Sequence, residues 1–250
     1  MKFSNVAVIV LTAGKGKRMN SKKINKTMLD LAGKPMVTYV IEKLKKLNLA
    51  QIIMVVGFAK DSVMAYFKDS VDYAIQRKRL GTGHATRVGL KKLKKGVNLV
   101  LVIQGDDSAF YPLSIFKDLI QTTTSKEISF TLLSVIRKEP FGLGRIVRDQ
   151  KGELKRIVEE KNATDKEREI KEINAGAYCF KREFLKKYLP KIKKNPVSGE
   201  YYLPDLVDLA LKDGLRIKTV QLGEAYWHGV NTPDQLAEVN QIMKAKIAGK

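Results

Sequence analysis

The chain has 250 residues, 44% of them hydrophobic, enough for one large domain or two small ones around a sizeable core. No apolar run approaches the ~20 residues of a membrane-spanning helix, residues 1–5 lead into a first strand without a signal-peptide plan, and the lone cysteine, Cys179, excludes an internal disulfide. A net charge of +21 suits a polyanionic substrate, a nucleic-acid surface or a lysine-rich solvated face, so it selects no partner by itself; the expectation is a soluble, cytoplasmic protein.

Residues 6–11 (VAVIVL) form a short, continuous, β-branched run, which predicts a strand buried on both faces. It breaks into Thr12, Ala13, Gly14, Lys15, Gly16, Lys17 and Arg18. Two glycines free the backbone there, and three cations follow within four positions. Peptide N–H groups at such a turn cradle anions, so the stretch has the makings of a phosphate-binding loop. It is not a Walker loop, and Met19 stands where the dinucleotide fingerprint needs its third glycine. Taken alone, it serves equally well as a plain connection.

Residues 31–35 predict a turn, and Val37, Val40, Ile41, Leu44 and Leu47 recur at helical spacing. A second buried strand is expected at residues 52–56, a short helix near 62–68 and a strand at 71–76. A glycine loop (Leu80, Gly81, Thr82, Gly83) then leads to a helix starting near His84. Residues 99–103 (LVLVI) predict another fully buried strand, ending in Gln104, Gly105, Asp106 and Asp107. This β-loop-α order implies a mainly parallel sheet with right-handed crossovers and ligands beyond the carboxyl ends of its strands. The three loops rich in chemistry-capable residues all fall at such ends.

From residue 129 the pattern changes. Residues 129–135 alternate, 142–148 and 154–158 suit a hairpin across 149–152, and 175–180 are strand-like. Residues 159–172 are dominated by charge and predict an exposed excursion. Leu203, Leu206, Val207, Ala210 and Leu211 mark an amphipathic helix, and residues 217–220 a strand. Thr232, Pro233, Asp234 and Gln235 form a capping box that opens a last helix through Leu236, Val239 and Met243. No repeat, linker or clean domain boundary is apparent.

LTAGKGKRM, Lys26, QRKRLGTGHA (76–85), GD (105–106), GLGRI (142–146), IVEEKNATDKEREIKEINAG (157–176), GEYYLPDLVDLA (199–210) and GVN (229–231) occur in one order along nearly the whole chain. In that order they resemble the uridylyltransferase (pyrophosphorylase) part of the bifunctional N-acetylglucosamine-1-phosphate uridyltransferase/glucosamine-1-phosphate acetyltransferase (GlmU) family. The resemblance implies an α/β, Rossmann-like nucleotidyltransferase fold, a doubly wound, mainly parallel sheet with a small β-rich sugar-binding subregion. It implies one domain: a nucleotide-binding part over about residues 1–128, a sugar-binding part over 129–232 and a C-terminal helix over 233–247. The implied reaction is Mg²⁺-dependent: an oxygen of N-acetylglucosamine 1-phosphate attacks the α-phosphorus of UTP, giving UDP-N-acetylglucosamine and pyrophosphate.

By the same resemblance, Leu11, Thr12, Ala13 and Gly14 hold the nucleotide, while Arg18 and Lys26 bind its phosphates and the developing pyrophosphate. Gln76 reads uracil, and Gly81 and Thr82 let the backbone approach base and sugar. Asp106 and Asn231 are the Mg²⁺ ligands, and Gly144, Glu159 and Asn174 hold the amino sugar. Plainer roles stand beside these. Asp106 suits a helix cap, Asn231 a turn, and Lys26 and Glu159 solvated charges. His84 and His228 lack metal-ligand spacing and are expected to be structural, and Asp107 either assists the metal or faces solvent. Gln104 and residues 107–110 depart from the family pattern near the sugar, so another sugar 1-phosphate or another pyrimidine nucleotide is the alternative. A non-catalytic basic nucleotide- or nucleic-acid-binding protein is the alternative of a different class, though nucleic acid is not the expected partner. Without a hexapeptide-repeat segment before Lys250, no acetyltransferase domain is expected, and the oligomeric state stays open.

Overall fold

The computed structural model describes residues 3–19 and 23–249, with the side chain of Lys17 outside the described set, so that cation of the expected phosphate loop is not placed. The central apolar run extends to a ten-residue strand, β1 (Phe3–Thr12). A minimal hairpin joins β2 (Asp30–Leu31) to β3 (Lys34–Pro35), its turn made by Ala32 and Gly33 at positive φ. Helix α1 (Met36–Lys45) buries Val37, Val40, Ile41 and Leu44, the stripe its spacing requires. There follow β4 (Leu49–Val56), α2 (Lys60–Phe67), β5 (Asp72–Ile75), α3 (Gly81–Leu90), β6 (Leu99–Gln104) and α4 (Leu113–Thr124). The second half holds β7 (Ile128–Ile136), β8 (Arg145–Arg148), β9 (Leu154–Val158), α5 (Asp165–Arg168), β10 (Glu172–Lys181), α6 (Arg182–Tyr188), α7 (Asp205–Lys212), β11 (Arg216–Leu222) and α8 (Pro233–Ile247).

The main sheet runs in the order β11-β7-β10-β6-β1-β4-β5. Neighbours from β6 to β5 are parallel, as are β11 and β7, while β10 is antiparallel to both its neighbours and splices the two parallel blocks. Alternate residues of β1 face opposite ways. Val6, Val8 and Val10 pack with α1, α2 and α4, whereas Ala7, Ile9 and Leu11 pack with α3, α6 and α7. Helices on both faces explain why β1 and β6 are apolar without alternation. The fold is the expected doubly wound one, and β8 and β9 form the expected hairpin, attached to β10.

Four expectations change. Helix α3 starts at Gly81, three residues before His84, because the glycine loop is itself the first turn and lets the chain near Tyr201 pass close by. Helices α4 and α6 lie where no element is expected. Strand β7 is buried on both faces despite its alternation, since it sits inside the sheet; its Thr131 hydroxyl accepts a bond from Thr123 at 2.8 Å. Residues 159–172 are not simply an exposed excursion. Thr164 and Glu167 form a full capping box for α5, and Glu167, paired with Arg156, is buried along with Ala163.

A third apolar cluster joins elements remote in sequence: Met19 after β1, Leu31, Met36 and Tyr39, Ala109 and Phe110 after β6, Val230, and Val239 and Met243 of α8. It pulls the loops beyond β1 and β6 toward residue 231. Buried Cys179 in β10 has its thiol pushed up to about 12 by burial. The native protein is therefore expected to leave a disulfide-exchange reagent unreacted at pH 8 and to consume one equivalent once unfolded in guanidinium, as absorbance of the released thiolate will show.

Candidate active site

The carboxyl ends of β1, β5 and β6 surround a cavity of about 670 Å³. Leu11, Thr12, Ala13 and Gly14 line it. The carbonyls of Thr12 and Ala13 are bound from the protein side, by the Asn25 amide at 2.6 Å and the Phe58 N–H at 3.1 Å. In a trans peptide the N–H points opposite the carbonyl, so the amides of Ala13 and Gly14 face away from these partners, the arrangement an anion needs. The Thr12 hydroxyl is turned inward to the Val55 carbonyl at 2.8 Å, leaving only backbone for a ligand. Gly57 keeps the loop down, since a Cβ there would stand 2.9 Å from the Ala13 carbonyl oxygen.

Asn25 is the residue sequence reasoning missed. It is 1% exposed and also binds the Phe58 carbonyl at 2.8 Å, while its own Oδ1 accepts from the Thr27 N–H and hydroxyl. A lone asparagine in a polar run carries no periodic signal, and only its burial betrays it. Arg79, Glu200 and Tyr202 also line the cavity. Signals for them existed, because all three lie inside motifs quoted above.

Lys26 enters past Gly16, whose φ of 58° and missing Cβ make room for the lysine stem. Its ammonium lies 2.6 Å from Asp106 Oδ2 and 3.1 Å from Asn231 Oδ1. Asp106, Asn231 and the glycine turn therefore meet at one place, with Lys26 only 6% exposed rather than a solvated charge. Gly105 lets this corner close, since a Cβ there would press on Thr12. Asn231 is fixed by its N–H donating to Gln235 Oε1 at 2.8 Å. The expected capping box is thus offset: Thr232 caps the Gln235 N–H, but the glutamine side chain reaches back one residue further.

Arg18 is exposed and is not among the residues lining the cavity, although its positive charge reaches Asp107. Asp107 is half-buried rather than an open surface carboxylate. Its Oδ1 is buried, and burial together with the charge of Asp106 holds its carboxyl well above the usual range. Across the cavity, Gln76 is 4% exposed, its Nε2 donating to the Gly81 carbonyl at 3.2 Å and lying 2.9 Å from His84 Nδ1. Gly81, at φ 88°, cannot be replaced without strain, because a Cβ would stand 2.6 Å from the Tyr201 carbonyl oxygen. Thr82 lines the cavity, but its hydroxyl accepts the Leu203 N–H.

Gly144, Glu159 and Asn174 form a second cluster. The Asn174 N–H donates to the Gly144 carbonyl at 2.9 Å, and a Cβ on Gly144 would stand 3.2 Å from Glu159 Oε1. Burial raises the Glu159 carboxyl pKa against the pull of Lys161 and Arg145. Glu159 lines a further cavity of about 340 Å³, which shares Tyr202 with the first. Asn174 sits at an irregularity where four steps along β10 answer two along β7, and its side chain is engaged by Tyr178 and the Gly176 N–H. Gly176 in turn abuts Gln104, which lines the larger cavity. His228 packs on Phe110 at 4.5 Å between ring centroids, with Nε2 3.1 Å from the Ala225 carbonyl, a structural role. Among the described residues no helix is long and apolar enough to cross a membrane, and no group of three or more His, Cys, Asp or Glu could hold a metal.

Residues 7–246 match the nucleotidyl transferase family. The chain belongs to that family. The chain is 38% identical over 247 residues to the bifunctional protein GlmU of Francisella tularensis subsp. novicida, and 37% identical over 242 residues to that of Clostridium novyi. These matches cover 98% and 96% of the chain but 53% of each relative, so the chain spans about half the length of the curated relatives it matches. Among solved structures, one described as a glucose-1-phosphate thymidylyltransferase from Bacillus anthracis in complex with a sucrose aligns with a TM-score of 0.79. At 22% identity, over 95% of this chain and 94% of that one, it establishes the fold alone.

Asn25→Ala strips the buried Thr12 and Phe58 carbonyls of their donor. The variant is expected to lose about 1–3 kcal/mol of stability, measured as a lower urea midpoint. It should also show faster amide exchange at residues 12–14 while the strand core stays protected.

Proposed function

We propose that the protein is an Mg²⁺-dependent sugar-1-phosphate uridylyltransferase that joins UTP and N-acetylglucosamine 1-phosphate into UDP-N-acetylglucosamine, releasing pyrophosphate. The observation that carries this is the convergence of Asp106 and Asn231 on the Lys26 ammonium at the edge of a cavity floored by the glycine loop and walled by Gln76. The GlmU relatives support the choice of substrates. The nucleotide takes the part over residues 1–128 and the sugar the part over 129–232, with helix 233–247 bracing Asn231.

Two hard oxygens, one charged and one neutral, already gathered around a positive charge fit a divalent cation, and they leave coordination positions for phosphate oxygen and water. Asp106 and Asn231 would hold Mg²⁺, which when bound supplies electrostatic stabilisation of the phosphates. The remaining work falls to the chain. Backbone amides of Ala13 and Gly14 orient the triphosphate, Lys15 and Lys26 neutralise charge on its β- and γ-groups, and Arg18 adds positive charge from outside the cavity lining. Gln76 meets the base, and Glu159 accepts from sugar hydroxyls beside Gly144 and Asn174. A non-bridging oxygen of the sugar phosphate forms the new bond to the α-phosphorus. The α–β bridging P–O bond breaks, and pyrophosphate leaves with its electron pair. A phosphate monoester, with its second pKa near ~6, is already an oxyanion at neutral pH, so the step needs positioning and charge rather than a general base.

Gln104, which lines the cavity and touches Gly176 at its sugar side, favours one second reading, the same reaction on a different sugar 1-phosphate. One assay separates them. Purified protein given UTP, CTP, dTTP, ATP or GTP against a panel of sugar 1-phosphates is expected to release pyrophosphate fastest with UTP and N-acetylglucosamine 1-phosphate. A faster rate with another sugar selects the second reading, and silence across the whole panel overturns both. Chelating divalent cations should abolish turnover. Asp106→Ala should lower kcat by about 10³-fold or more with an unchanged circular dichroism spectrum.

A further inference from the structure

His84 is not used in the reaction as written above, yet it contacts the side chain that meets the base. The Gln76 Nε2 faces two groups, the Gly81 carbonyl oxygen at 3.2 Å and His84 Nδ1 at 2.9 Å. A carbonyl can only accept, so the end of the amide facing Gly81 must be its NH₂. The second hydrogen of that NH₂ is then directed at His84 Nδ1, which must offer a lone pair. The imidazole is therefore neutral, with its own proton on Nε2. Burial and the nearby charges of Arg87 and Lys91 act in the same direction, lowering the affinity of the ring for a second proton. With Nε2 held on both hydrogens, Gln76 presents Oε1 on its other side. Among the described residues that oxygen has no protein partner and is not among the buried unsatisfied atoms, while Gln76 lines the cavity.

We propose that His84 is a specificity-determining positioning residue: by accepting from Gln76 it fixes the amide so that an acceptor, not a donor, meets the nucleobase. Uracil and thymine carry N3–H at the edge such an acceptor reads, whereas cytosine carries a lone pair at N3. The clamped amide therefore selects imide pyrimidines and opposes cytosine lone pair to lone pair. A glutamine amide turns over readily about its last torsion, and turned over it would donate to cytosine instead. Turning it in this site sets Oε1 against the Gly81 carbonyl oxygen and makes the His84 proton move from Nε2 to Nδ1 before the second contact can be kept, so part of the discrimination lives behind the amide rather than at the base. The inference rests on the reading that Gln76 meets the base of a nucleoside triphosphate.

The test is calorimetric titration of UTP and CTP, each with Mg²⁺, into wild type and variants, which needs no turnover. Wild type is expected to prefer UTP. His84→Ala should shrink the ratio of the two dissociation constants by about tenfold or more, chiefly through weaker UTP binding. His84→Leu, which refills the volume of the ring without an acceptor, should do the same, separating a lost hydrogen bond from lost packing. His84→Asn, whose Oδ1 takes the place of Nδ1, should restore the ratio. In a Gln76→Ala background, His84→Ala should leave the ratio unchanged, which a merely structural histidine would not do. A UTP preference that survives both His84→Ala and His84→Leu in folded protein overturns the inference and leaves the proposed reaction standing. Equal wild-type affinity for UTP and CTP overturns it too, while pyrophosphate release in the sugar panel still upholds a nucleotidyl transfer. Wild-type protein that neither binds a nucleotide nor releases pyrophosphate sinks both.

Discussion

One ammonium group ties the molecule together. Lys26 sits between the Asp106 carboxylate and the Asn231 amide oxygen, partners 80 and 205 residues away along the chain. Removing a charge from water is costly unless opposite charge and hydrogen bonds meet it. The three segments that supply these groups must therefore arrive together or not at all. The apolar cluster beneath α8 makes them arrive: Met19, Phe110 and Val230 lie in the same packed group, each on one of the three segments or next to it. Packing brings the backbones into range, and the polar triad sets the final register. A corner built from two oxygens around one cation holds both oxygens ready for positive charge.

Close approach is the second constraint. Gly16, Gly57, Gly81 and Gly105 each stand where a Cβ would strike a neighbour at 2.9 Å or less. Three of them pack the glycine loop against the ends of β4 and β6 and against Lys26. The fourth presses the start of α3, beside Gln76, onto Tyr201. The site is thus mostly backbone brought near by missing side chains, with Asn25 bound to the carbonyls so that amides face the other way. Such a surface suits phosphate, which asks for many donors and little shape.

The half around Gly144, Glu159 and Asn174 is assembled differently. It hangs on β10, which runs antiparallel to both β6 and β7, and on an irregularity in that strand between Asn174 and Tyr178 that leaves Gly176 against Gln104. Ion pairs such as Arg145–Glu160 and Arg148–Glu172 lace the hairpin and the charged segment into a wall. The high lysine content takes little part in either half. Most of the lysines are exposed, so the net charge describes the solvated surface more than the chemistry.

What the sequence determined by itself is what is local or written in periodicity. Continuous β-branched runs make β1 and β6 interior strands, a helical stripe makes α1, and two glycines mark a loop that must turn. The doubly wound order follows from strands alternating with helices. The ordered motifs identified the residues that belong together but not how they touch. Tertiary structure decided the rest. It buried Asn25 and Lys26, which sit in an unremarkable polar run, started α3 at its glycines, folded a charged stretch into a buried capping box and slipped the last box by one residue. It also gave His84 an acceptor's task. The burial of Asn25 and Lys26 depends on which distant atom lies within about 3 Å, and the short-range contacts take their register from what packs around them, so both are settled by the whole chain rather than by any stretch of it.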